Sequence, residues 1–204
     1  MHLRLITLIV SLFLSLGLVA CSGSAPTRFH TLSTVEDTVT PQPELAKRLA
    51  SLGVGPVKLP SLLDRQGLVL RRSAVSLDVS EQHQWGGQLK EEFLSALTQR
   101  LKARLPGVRV LTVPWELEQT PRYQVALNID RFDSVPAEQA VVAGTWRLEQ
   151  GEDGQILQTQ DFRLSEFITG DGVSSMVQAQ SRLLSQLADA IVKQLAQSDA
   201  IAQP

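Results

Sequence analysis

The sequence predicts a single α+β domain, a mostly antiparallel sheet of about six to seven strands with two long amphipathic helices on one face. Three observations predict it. Leu89, Phe93, Leu97 and Leu101 recur at four-residue steps, and Val173, Met176, Val177, Leu183, Leu184, Leu187, Ile191 and Leu195 mark a second apolar face, so two segments carry the helical period. Tyr123, Val125, Leu127 and Ile129 alternate with Gln124, Ala126, Asn128 and Asp130, the pattern of a strand with one wet face. Glu152-Asp153-Gly154 between two strand-like runs is a hairpin signal, which pairs its flanking strands antiparallel.

The elements follow in order. Arg28-Phe29-His30-Thr31-Leu32 reads as a short first strand, and Ser33 to Pro43, rich in Thr, Pro and acidic residues, as a loop. Glu44 to Ala50 is a helical turn. Leu52 to Leu59 is strand-like, with Pro56 marking an edge position or a bulge. After a loop from Pro60 to Gln66 come strands at Leu68 to Arg72 and Val75 to Val79. Trp85-Gly86 leads into the first long helix, whose stripe leaves Lys90, Glu91, Arg100 and Lys102 off the apolar side; Pro106-Gly107 stops it. Val108 to Val113 is a further strand. The alternation from Tyr123 changes phase near Phe132, the mark of a bulge or strand end. Val142, Trp146 and Leu148 share one side of the next strand, and Ile156 to Ile168 forms the last, with Phe162 and Leu164 inside. Gly170-Asp171-Gly172 breaks the chain before the final helix, where Gln178, Gln180, Ser181, Gln186 and Lys193 cover the polar side, and Ser198 to Pro204 frays.

The N-terminus is not part of this domain. Arg4 supplies a positive start, Leu5 to Val19 an apolar core and Ala20 a small residue, together a secretory signal. The apolar run is shorter than the roughly 20 residues a spanning helix needs. Leu18-Val19-Ala20-Cys21 resembles a bacterial lipobox, in which Cys21 becomes a diacylglyceryl thioether and, after cleavage, an N-acylated terminus. Cys21 is the single cysteine, so no disulfide competes for it. Two or more acyl chains anchor stably. The expected organisation is a signal peptide over 1–20, a lipidated tether over 21–28, the α+β domain over 29–198 and a frayed tail over 199–204. Ser22, where aspartate would favour inner-membrane retention, points to the periplasmic face of a Gram-negative outer membrane.

Loss of the signal leaves 18 basic against 21 acidic residues, a formal charge near −3. That speaks against a nucleic-acid partner, which a basic surplus would mark. About 180 residues suffice for one core held by packing. Catalytic signatures are missing: the chain has no Gly-rich loop ending in Lys-Ser or Lys-Thr, no Cys-x-x-Cys, no His-Glu-x-x-His and no Gly-x-Ser-x-Gly. His30 and His83, the two histidines after the signal, read as surface or packing residues, and Asp171 as a turn before a helix. The expectation is a protein that is not an enzyme, with no metal and no cofactor beyond the lipid on Cys21. Candidate contacts for a partner or lipid are Arg71 and Arg72, a small basic pair at a strand end, and Trp115, an aromatic beside Pro114 in a loop. Trp85 and Trp146 read as core anchors, and Arg131-Phe132-Asp133 as an ion pair flanking a core aromatic.

Several segments together resemble one family. They are Phe29-His30-Thr31-Leu32 after the cysteine, Val54-Gly55-Pro56-Val57-Lys58-Leu59-Pro60, and Leu62-Leu63-Asp64-Arg65 followed by Leu68 to Arg71. His83-Gln84-Trp85 through Leu89, Arg131-Phe132-Asp133, Trp146, and Ala179 with Leu187-Ala188-Asp189-Ala190-Ile191 complete the order. In order and spacing behind a lipobox these resemble the PqiC-like, ABC-type transport auxiliary lipoproteins, over nearly the whole mature chain. Leu62 stands where that family often has Tyr, and Ser33 to Pro43 matches poorly. The resemblance implies a non-enzymatic outer-membrane lipoprotein serving an MCE-type intermembrane lipid transport system. Its implied partners are an MCE-domain protein, whose tunnel it anchors or caps, and further copies of itself, in a ring matching the tunnel's symmetry. An assembly or plug lipoprotein of another outer-membrane machine is the alternative, and a lipid hydrolase a more distant one.

Overall fold

In a computed structural model of the protein, residues 26–32 and 39–201 are described. The signal segment, Cys21 and most of the tether therefore lie outside the described residues. Eight strands form one sheet: β1 (Arg28–His30), β2 (Ser51–Lys58), β3 (Gly67–Arg71), β4 (Leu77–Trp85), β5 (Arg109–Thr112), β6 (Tyr123–Val135), β7 (Gln139–Gln150) and β8 (Ile156–Phe167). Three helices accompany them: α1 (Pro43–Leu49), α2 (Leu89–Arg104) and α3 (Gly172–Gln197). The class is α+β, and the two long helices pack on each other and on the sheet.

The sheet is mixed, not mostly antiparallel, and Glu44 to Ala50 belongs to a third helix. β6–β7–β8 and β3–β4 are antiparallel, whereas β2 runs parallel to both β5 and β6, β1 parallel to β4, and β3 parallel to β6. The antiparallel pairs are those joined by short turns. The parallel ones bring together strands separated by long connections, whose pairing alternation alone does not specify. β2 is central, and its first five residues, Ser51 to Gly55, are all buried, as expected of a strand covered on both faces. Pro56 lies at a register shift between Val54 and Val57, so it marks a bulge and not an edge. Trp85 ends β4, and the helix it leads into begins at Leu89.

β6 organises the rest. Along one edge it pairs β2 from Tyr123 to Asn128, then meets β3 at a single bridge, Ser134 to Leu70. Its other edge carries β7 throughout. The phase change expected near Phe132 is a register shift between Ile129 and Arg131. Gly144 faces that shift, and a Cβ there would collide with the Asn128 carbonyl. The core fills the space between sheet and helices. Phe93 of α2 meets Phe132 of β6 edge to face at 5.3 Å, with Trp146 and Leu148 of β7 buried beside α3 residues Leu183, Leu184 and Leu187.

The seam between α2 and α3 is polar. Arg100, off the apolar stripe in the sequence, is only 3% exposed and Arg104 only 1%. Arg100 donates to the Ser185 and Ser181 hydroxyls at 2.9 and 2.7 Å and to the Ser181 carbonyl. Arg104 holds Asp189 with two bonds, of 2.6 and 2.9 Å, and donates to the Ser185 carbonyl. Long aliphatic stems let these residues occupy a buried row while their heads meet carbonyls and hydroxyls on the facing helix. After α3 the chain folds back, and Ile201 is 1% exposed in the core.

Candidate functional site

Arg71 ends β3, and Arg72 follows it in the turn into β4. The alternation of the strand sends them to different partners. Asp133 on β6 is 2% exposed and accepts from Arg71 Nε at 3.1 Å and from a terminal guanidinium nitrogen at 2.8 Å. Arg131 grips the same carboxylate at 2.9 to 3.1 Å, so the ion pair expected within Arg131-Phe132-Asp133 is present and has a second cation. Arg71 also donates to the Ala74 carbonyl in the hairpin tip. The hydrogen bonds that Arg71 donates to Asp133 hold its guanidinium still more firmly protonated, against a smaller opposing effect of burial. Arg72 points elsewhere and pairs with Asp78 at 2.6 Å, both side chains half exposed. The two arginines therefore form two separate ion pairs instead of one basic patch. Arg71 clamps the β3–β4 hairpin to the main sheet at the point where β3 has its one bridge to β6.

Trp115 is half-buried. Its ring lies over Gly53 of β2, where an added Cβ would come within 2.8 Å of two ring carbons and 2.7 Å of Pro121. Gly53 is thus small because Trp115 and Pro121 cover it. Cys21 lies outside the described residues.

A feature the sequence did not bring together is the pair His30 and His83. β1 lies parallel on β4 in the register Arg28 to His83 and His30 to Trp85, which places His30 Nε2 3.0 Å from His83 Nδ1. Burial first, then the neighbouring His83 and Arg28 charges, push the His30 pKa down. A single hydrogen bond between two imidazoles needs one neutral acceptor, so full protonation of both would break it. β1 is further tied down by the Gly86 N–H to the His30 carbonyl at 2.7 Å, by Glu92 accepting from the Leu32 N–H, and by burial of Leu32. The sequence carried no signal for this pairing: His30 fell in a predicted strand, but the strand predicted at Val75 to Val79 extends through His83 to Trp85 only in the structure.

A cleft of about 750 Å³ opens beside Ser51, Pro121, Arg122, Gln150 and Glu152, and a groove of about 300 Å³ crosses the helix-free sheet face at Lys58, Asn128, Thr145 and Arg147. Among the described residues no three or more His, Cys, Asp or Glu side chains are placed to hold a metal ion, and no helix is long and apolar enough to cross a membrane.

A family model described as ABC-type transport auxiliary lipoprotein component matches residues 30–192, from the first strand to near the end of α3. The chain belongs to this family. The PqiC-like family segments noted above all fall within that match or immediately before it. A crystal structure of a Xanthomonas campestris protein, from the DUF330 family, superimposes with a TM-score of 0.67 at 16% identity, covering 83% of this chain and 97% of that one. A crystal structure of an uncharacterized protein gives a TM-score of 0.68 at 19% identity, covering 84% of this chain and 99% of that one. At those identities the likeness is one of fold. No curated protein matches the chain. This family membership makes the protein an auxiliary lipoprotein component of ABC-type transport, a class that is generally non-enzymatic.

Proposed function

We propose that this protein is the lipid-anchored outer-membrane component of an MCE-type intermembrane lipid transport system, holding or capping the tunnel where it meets the membrane. The family match carries the reading, and the lipobox ending in Cys21 supplies the anchor. Its partners are then an MCE-domain protein, the membrane through the acyl chains on Cys21, and other copies of itself, arranged in a ring that repeats the tunnel's symmetry. Its place is the periplasmic face of the outer membrane, in keeping with Ser22. No catalytic step is assigned; the protein acts by position.

The position of β1 supports this emphasis on the anchor. Arg28, seven residues after Cys21, is already paired to β4. At about 3.3–3.6 Å per extended residue, the lipid and the fold stay within roughly 25 Å of one another. A domain held this close can meet only a tunnel end that reaches the membrane. Replacing Cys21 with serine leaves the fold untouched and removes the anchor. The variant is expected in the soluble periplasmic fraction, with transport-dependent envelope integrity impaired. Full transport by the soluble variant would overturn the reading.

A further inference from the structure

The direction in which the chain enters β1 is set by strand pairing. β1 is parallel to β4, so the chain arrives at Arg28 from the end of the sheet where β4 begins, at Leu77. The ladder shows what else lies at that end. Leu77 sits opposite Arg71, Leu70 bridges to Ser134, Val135 pairs with Gln139, and Gln139 pairs with Phe167. The β3–β4 turn, the β6–β7 turn and the close of β8 therefore share one end of the sheet.

That end carries the two most exposed large hydrophobic side chains among the described residues. Val75, in the β3–β4 turn closed by the Arg72 N–H to the Ser76 carbonyl, is 96% exposed. Phe167, the last residue of β8, is 81% exposed. Ile156 begins β8 and so lies at the opposite end. The charges beside Val75 are taken up in pairs, Arg71 with Asp133 and Arg72 with Asp78. Glu138 and Asp171 are exposed acids at the same end and give it no attraction for an anionic surface.

Single exposed hydrophobic residues are ordinary; the tether is what gives these two an occupant. Phe29 pairs with Gln84, and Gln84 with Gly67, so β1 lies level with the start of β3. From Gly67 to Arg71 the strand rises about 13 Å, at about 3.3 Å per residue. The seven residues from Cys21 to Arg28 span at most about 25 Å. Cys21 can therefore pass Arg71 by no more than about 12 Å, close to the level of Val75. Acyl chains on Cys21 have to lie in a bilayer, and the surface of that bilayer then meets the end of the sheet that holds Val75 and Phe167.

We propose that this end of the sheet is a membrane-contact surface, with Val75 and Phe167 seated in the headgroup layer of the bilayer that holds the Cys21 lipid. The proposal rests on the lipidation of Cys21 and not on which tunnel the domain serves. Apolar side chains gain by leaving water at that depth. One acyl chain alone binds only marginally, so two side chains orient the domain and do not hold it. The contact sets the tilt of the domain, which a tether alone leaves free. Copies in a ring whose axis stands along the membrane normal all turn the same end to the bilayer.

The test places a nitroxide label at Val75→Cys, Phe167→Cys or Ile156→Cys in the full-length lipidated protein, held in vesicles of phosphatidylethanolamine with a minor share of phosphatidylglycerol. Cys21 carries the lipid, so each introduced cysteine is the free thiol. Power saturation compares collisions with oxygen, which concentrates in the bilayer, and with a water-soluble nickel chelate. The labels replacing Val75 and Phe167 are expected to favour oxygen, and the label replacing Ile156 to favour nickel, unchanged in high salt. All three native side chains are exposed, so circular dichroism should show an unaltered fold. Labels at the first two positions as open to nickel as the third overturn the proposal. So does protection that falls away in high salt, or protection that needs an added MCE-domain protein, which would make the surface a protein interface. Intact mass separates the two readings: water-exposed labels on acylated protein sink the contact and leave the anchor standing, whereas an unacylated Cys21 overturns both.

Discussion

Asp133→Ala removes the carboxylate that clamps the β3–β4 hairpin to β6. Asp133 is 2% exposed, and Arg71 and Arg131 are 21% and 24% exposed. Breaking a buried ion pair from one side costs about 3–5 kcal/mol, because the remaining charge is left without compensation. Here both arginines reach water along one side and can rotate outward, which lowers the figure to about 2–3 kcal/mol. For a domain of this size each kcal/mol shifts the melting temperature by about 2–4 °C, so a fall of about 5–10 °C is expected. The loss should be local as well as global. β3 meets β6 at one bridge, so hydrogen exchange should rise most in Gly67–Arg71 and Leu77–Trp85, and then in β1, which among the described residues pairs only with β4. Asp133→Asn, which keeps one acceptor oxygen but no charge, should lie between. Thermal melts and exchange mass spectrometry of the three proteins read both effects. A melting temperature within about 1 °C of wild type, with unchanged hairpin exchange, would refute the clamp.

Three further expectations concern single sites. The His30 pKa is held below its unfolded value, so the folded form favours the neutral ring and its stabilisation is present above the unfolded pKa of about 6.5 and lost as pH falls below it toward the folded value. Arg28 on β1 and His83 on β4 oppose the charged ring, and Glu92 of α2 accepts from the Leu32 N–H two residues on; the protection of the Arg28–His30 amides, measured relative to their intrinsic base-catalysed exchange at each pH, should therefore fall as pH drops through about 6.5 and below, and His30→Gln should flatten that response. Gly144→Ala should cost about 1–3 kcal/mol by forcing β7 off the Asn128 carbonyl, seen as a lower urea midpoint. Arg104→Ala should cost about 2–4 kcal/mol by removing its bonds to Asp189 and the Ser185 carbonyl and the packing of its stem, and Arg104→Met should recover part of that if packing matters as much as charge; chemical denaturation of both decides.

The elements legible in the sequence were those set by local period. The β6–β7–β8 meander follows from the alternation begun at Tyr123 and from the turn at Glu152-Asp153-Gly154, and even the bulge near Phe132 shows as a phase change. What escaped depends on partners distant in sequence. Pro56 left β2 open as an edge or a bulged strand; only the pairing with both β5 and β6 decides for the bulge, which removes Pro56 from the ladder's demand for an N–H. Arg100 looked solvated because period places it off the apolar stripe, whereas Ser181 and Ser185, more than 80 residues on, give its head partners, as Ser185 and Asp189 do for Arg104 one turn later. The candidate site behaved likewise. Arg71 and Arg72 are adjacent in sequence, but Asp133, 62 residues away, takes one of them and Asp78 the other. Trp115 was legible as a loop aromatic; that Gly53 receives its ring was not. The anchor at Cys21 is read from the sequence alone.

The central claim is that this lipoprotein works as part of an MCE assembly. The most direct measurement is affinity purification of the lipidated protein from detergent-solubilised envelopes, after mild crosslinking, with the bound proteins identified by mass spectrometry. The account predicts recovery of an MCE-domain protein with the wild type and its loss with Cys21→Ser. Recovery of another outer-membrane machine in its place, with no MCE protein, would contradict it.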